Sequence, residues 1–117
     1  MQEQRRVPRK RATNSITVRD LNTDRPLGRI VNLTSEGIML IGPVPVESNL
    51  VFQLELNLPM PHLGRSSLQL GAESLWCSDA SEPDNYWAGF RIIDISLGTV
   101  ELIESLVDSW ETDGSYH

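Results

Sequence analysis

Leu50-Val51-Phe52-Gln53-Leu54-Glu55-Leu56-Asn57-Leu58 alternates with a period of two. Leu50, Phe52, Leu54, Leu56 and Leu58 would line one apolar face. Val51, Gln53, Glu55 and Asn57 would line the other, which is largely polar. Successive side chains of a strand point to opposite faces, so this is the pattern of a strand with one side in a core and one in water. The stretch sets the class of the chain as mainly β.

Working outward, Pro59-Met60-Pro61-His62-Leu63-Gly64 reads as a break. Leu68, Leu70, Ala72 and Trp76 predict the next strand, Ser78 to Asn85 a polar loop, and Tyr86 to Ile92 a last strand. Gly89 lies inside that strand, where a glycine marks a bend or a close backbone approach. Toward the N-terminus, Ile38 to Ile41 predicts a short buried strand stopped by Gly42-Pro43. Ile16 to Arg19 and Leu27 to Val31 predict a hairpin around the turn Asn22-Thr23-Asp24-Arg25-Pro26. Asn32 to Gly37 is the connecting loop after it.

Beyond Asp94 the period changes. Leu102, Ile103, Leu106, Val107 and Trp110 recur at three- and four-residue spacing, one face of a helix. Asp94 or Ser96 is placed to cap it, and Glu101, Glu104 and Asp108 fall on its wet side. About six short strands followed by one helix predict a small antiparallel β-barrel with a C-terminal α-helix plugging or covering it. A barrel of this size is filled by its own side chains, so a ligand would bind outside it or at its rim.

The 117 residues fit one domain. Residues 1–13 predict a flexible basic arm, 14–110 the barrel with its helix, and 111–117 a disordered tail. No run of 18 apolar residues occurs, so membrane insertion is not expected. The lone Cys77 excludes an internal disulfide, suits a cytoplasmic location and reads as core filling.

Charge is unevenly distributed. The net charge is −6, yet residues 1–11 hold Arg5, Arg6, Arg9, Lys10 and Arg11 against Glu3 alone, net +4. The remaining residues hold five arginines against fifteen acids, net −10. The arm attracts anions while the body repels them, or else serves only as a solubilising tail.

Catalytic patterns are lacking. The only histidines are His62 and His117, no phosphate-loop or dinucleotide fingerprint occurs, and no Cys, His and carboxylate set has metal spacing. No enzyme, metal or cofactor is expected.

Arg5 and Arg9 carry planar donor forks that match phosphate oxygens and the O6/N7 edge of guanine. Asn32 offers a donor and an acceptor, Thr34 a hydroxyl, and Gly37 either a positive backbone angle or a close main-chain approach. Side chains two apart at a strand end point the same way, so Asn32 and Thr34 can converge. The alternative is an ordinary turn in which both bond their own backbone.

The ordered pair of stretches, Arg5-Arg6-Val7-Pro8-Arg9 and Asn32-Leu33-Thr34-Ser35-Glu36-Gly37, resembles the PilZ family signature R-x-x-x-R followed by D/N-x-S-x-x-G. The resemblance covers about residues 4–110 and includes Trp76, Gly89-Phe90 and the closing helix. It implies a six-stranded barrel and a receptor for cyclic di-GMP. Arg5 and Arg9 would grip phosphate and guanine, and Asn32, Thr34 and Gly37 would hold a guanine edge. Arg6, Lys10 and Arg11 are accessory candidates, and Trp76 either stacks near the site or belongs to the core. Thr34 stands where the family usually has Ser, keeping the hydroxyl and adding a methyl. Gln4 stands where members with a further Arg take a stacked ligand pair, which leans this chain toward one ligand per site.

The output would pass through another, unidentified protein, with the chain a monomer or weak dimer. Leu50 to Leu58 could offer an edge to a second copy. A PilZ-like adaptor of motility or pilus assembly that binds no nucleotide is the alternative, and Arg5 and Arg9 argue against it. DNA binding is not expected, because the body is acidic, with a whole-chain pI near 4.8.

Overall fold

The computed structural model describes residues 15–110. The expectations for the arm and the tail, and with them Arg5, Arg6, Arg9, Lys10 and Arg11, lie outside the described residues. Six strands and a helix follow in order: β1 (Thr17–Asp20), β2 (Arg25–Leu33), β3 (Gly37–Gly42), β4 (Val51–His62), β5 (Arg65–Asp79), β6 (Tyr86–Asp94) and α1 (Leu97–Asp108). The strands close into a barrel in the order β1-β2-β3-β6-β5-β4. Every neighbouring pair is antiparallel, and β1 closes the ring against β4. The expected barrel and helix are both present.

β4 carries the predicted alternation. Leu54, Leu56 and Leu58 are buried, while Glu55 and Asn57 face outward. Leu50 departs from the expectation: it lies before the strand and is 42% exposed. The strand also does not stop at Pro59. It runs through Pro59 and Pro61 to His62, and only Leu63-Gly64 makes the turn, both with positive φ (50° and 79°). Prolines are admissible there because β1 pairs only with Asp20's partner Leu54 through Asn57. Among the described residues the later part of β4 has no partner on that side to miss an N–H. Between Leu54 and Asn57, β4 is bonded to β1 and to β5, so the edge expected for a second copy is already taken.

Several register shifts interrupt the ladders, and two of them, each of one residue, shape the outer face. In β2, Ile30 pairs with Leu40 and Asn32 with Met39, leaving Val31 as an extra residue. In β5, Ser74 pairs with Phe90 and Trp76 with Gly89, leaving Leu75 extra. Each β-bulge switches the faces of the residues after it. At the far end of β2, Gly28 and Gly42 bring two backbones together: a Cβ on either would lie 2.2 Å from the Ile41 carbonyl oxygen or 1.8 Å from that of Leu27.

Helix α1 starts at the predicted Ser96, whose Oγ accepts the Thr99 N–H at 3.1 Å. Leu102, Ile103 and Leu106, with Trp110 just beyond the helix, join the barrel residues in one core. Fully buried Ser74 ties the β3–β4 connection to β5. Its hydroxyl donates to the Glu47 carbonyl at 2.6 Å and accepts the Leu50 N–H at 3.0 Å. Cys77 is half-buried against the core, and its sulfur accepts the Val46 N–H at 3.4 Å.

Candidate functional site

The two bulges build a row of side chains across the outside of the barrel. Regular alternation after buried Ile30 would turn Asn32 inward, but the extra Val31 leaves Asn32 half-exposed and sends Leu33 into the core. Regular alternation after buried Ser74 would likewise bury Trp76, but the extra Leu75 leaves it 41% exposed. Asn32 pairs with Met39, Met39 with Gly89, and Gly89 with Trp76. One row therefore runs Asn32, Met39, Gly89, Trp76 over β2, β3, β6 and β5.

Above this row lies an open cleft of about 280 Å³, lined among others by Asn32, Thr34, Gly37, Met39, Trp76 and Phe90. Every sequence-predicted site residue within the described part is brought to it: Asn32, Thr34, Gly37 and Trp76. Trp76 belongs to the cleft and not to the core. Met39, Gly89 and Leu75 also belong here and were not anticipated as site residues. Leu75 is there as a bulge residue, whereas Met39 and Gly89 sit in the regular ladder of β3 and β6 and join the row through their cross-strand partners Asn32 and Trp76.

The loop between β2 and β3 is tighter than expected, because Asn32 and Leu33 belong to β2 and Gly37 to β3. Thr34 organises it. Its Oγ1 accepts the N–H groups of Glu36 and Gly37, both at 3.1 Å. The Thr34 N–H donates to the Gly37 carbonyl at 3.0 Å, and the Ile92 N–H to the Glu36 carbonyl at 2.8 Å. The ordinary-turn reading thus describes Thr34, whereas Asn32 makes no side-chain hydrogen bond to a described residue and keeps its amide available. Of the two roles open to Gly37, close approach is the one used. Its φ is not positive, and a Cβ there would stand 3.1 Å from the Phe90 carbonyl oxygen.

The described lining of the cleft is uncharged. The nearest cation in register is Arg91, opposite Gly37, and it is paired with Glu73 at 2.6 Å. The cleft therefore offers hydrogen bonds and an aromatic face, with no fixed charge of its own. Among the described residues no group of three His, Cys, Asp or Glu could hold a metal ion, and no helix is long and apolar enough to cross a membrane.

A second cleft, of about 410 Å³, adjoins the first through Thr34. Its walls are Thr34 and Ser35 of the motif loop and Ile103, Glu104, Val107 and Asp108 of α1.

No curated protein sequence matches the chain. Among solved structures it is similar to the Bacillus subtilis inhibitor of motility MotI/DgrA, with 14% identity over 91% of this chain and 51% of that one, at a TM-score of 0.66. It is also similar to K. pneumonia MrkH, with 11% identity over 92% of this chain and 49% of that one, at a TM-score of 0.67. A third is Borreliella burgdorferi PlzA in complex with c-di-GMP, with 14% identity over 86% and 49%, at a TM-score of 0.53. The chain spans about half the length of these proteins, and at such identities the likeness is one of fold. The family model for the PilZ domain matches residues 3–109, nearly the full length, and the chain belongs to the PilZ domain family.

Proposed function

We propose that this chain is a cyclic di-GMP receptor that acts as an adaptor toward another protein. The observation that carries the reading is the convergence of Asn32, Thr34, Gly37 and Trp76 on one outer cleft of a PilZ domain. The complex of PlzA with c-di-GMP supports the choice of ligand.

The chemistry follows from what each group has left to give. The Thr34 oxygen already accepts two backbone N–H groups, so its proton is free to donate. Its partner on the ligand is then an acceptor, such as guanine O6 or N7. Asn32 can donate and accept on the same base edge. Trp76 offers an indole face for stacking. The described lining of the cleft has no cation, so charge for the phosphates comes from Arg5 and Arg9, with Arg6 and Lys10 adding to the field. In this reading the ligand orders the basic arm over the barrel rim and so changes the surface shown to a partner.

Calorimetric titration of cyclic di-GMP at physiological salt tests the reading, beside Arg9→Ala and with linear GMP and cyclic AMP as controls. Saturable binding, lost in the variant and absent for the controls, supports a receptor. No heat and no shift in melting temperature would favour the nucleotide-independent adaptor.

A further inference from the structure

The geometry points to Gly89 as a positioning residue that holds the Trp76 indole flat across the cleft as its aromatic platform. The platform role rests on the receptor reading above, whereas the seat itself does not.

Trp76 sits directly opposite Gly89 in the ladder. A Cβ placed on Gly89 would stand 2.4 Å from Trp76 Nε1, 2.5 Å from Cε2 and 2.8 Å from Cζ2. The indole therefore occupies the space that any other residue at 89 would fill. Gly89 has no positive φ, so nothing in its backbone demands glycine. The three nearest heavy atoms all belong to the indole, a surface side chain that can swing away.

Two devices thus act in series on one ring. The extra Leu75 turns Trp76 outward, and the bare Cα of Gly89 lets it lie down rather than stand off the sheet. A ring lying down offers its face to the cleft above Met39, whereas a ring standing off offers only its edge. Because stacking depends on face presentation, the seat decides whether Trp76 can serve a purine at all.

The test uses the full chain with fluorotryptophan incorporated, the Trp76 resonance being assigned by its loss in Trp76→Phe. Gly89→Ala is expected to move the Trp76 resonance of the ligand-free protein and leave those of Trp87 and Trp110 in place. It is also expected to weaken cyclic di-GMP about tenfold. Trp76→Ala should weaken binding similarly, and adding Gly89→Ala to it should cost nothing further, since the methyl group then meets no ring. An unmoved Trp76 resonance would overturn the proposal. So would losses that multiply in the double variant, because Gly89 would then act independently of the indole. A moved resonance in a protein whose parent takes no cyclic di-GMP would overturn the platform and the receptor reading together, and support the seat alone.

Discussion

Thr34 Oγ1 stands 3.1 Å from the Gly37 nitrogen and accepts its hydrogen, which folds the motif loop back on itself. The same oxygen holds the Glu36 N–H. Thr34→Val removes the acceptor while keeping the shape. Each lost hydrogen bond is worth on the order of 1 kcal/mol, so the melting temperature should fall by several degrees. Cyclic di-GMP binding should weaken at least tenfold, while Thr34→Ser should retain both properties. Thermal melts and titration of the three proteins check this.

With a cleft whose described lining is uncharged, affinity for an anionic ligand should depend on the arginines of the arm. Arg5→Ala and Arg9→Ala are each expected to weaken cyclic di-GMP by tenfold or more and to leave the ligand-free melting temperature unchanged. The salt dependence of binding should flatten in both, as charge is removed from the complex. Parallel titrations at low and physiological salt measure it.

Ser74 is a buried hydroxyl with a donor bond to Glu47 and an acceptor bond from Leu50. Ser74→Ala leaves both backbone groups without that partner. The loss should be about 1–3 kcal/mol in denaturant unfolding, with an unchanged m-value.

Glu55 accepts hydrogen bonds from Arg19 and Gln69, and the Arg19 bond is the main reason its carboxyl is held below the usual range. The folded state then takes up this proton less readily than the unfolded chain does. The associated stability is fully present above the ordinary glutamate value of about 4.3 and is lost as pH falls through the lower native value. Melting curves of Glu55→Gln and its parent should be furthest apart near neutrality and converge in acid. A gap that stays constant with pH would mean that the ionised carboxylate is not responsible.

Helix α1 was legible because its signals are local: three- and four-residue spacing from Leu102 to Trp110 and a cap at Ser96. The strands were legible wherever alternation held, as from Leu54 to Leu58. It failed where one residue was inserted. Val31 and Leu75 look like ordinary strand residues, yet each reverses the side on which Asn32 or Trp76 emerges. Bulges arise from pairing with another strand, which one segment cannot reveal. The same limit hid the strand that passes through Pro59, since the prolines are tolerated where the described part of β1 no longer pairs with β4. The motif residues were legible by spacing, but the row that links Asn32 to Trp76 crosses four strands, and only the barrel brings it together.

Pro59 and Pro61 also act beyond this chain's own folding. They lie beyond the reach of the described β1, on a stretch that has no partner on that side among the described residues and whose N–H groups would otherwise be open to an extended segment. A proline has no N–H to offer, so that stretch is a poor template for strand addition. Strand addition along this stretch is thereby disfavoured, which leaves side chains, the part of a surface that sequence can make selective, as the groups it can offer.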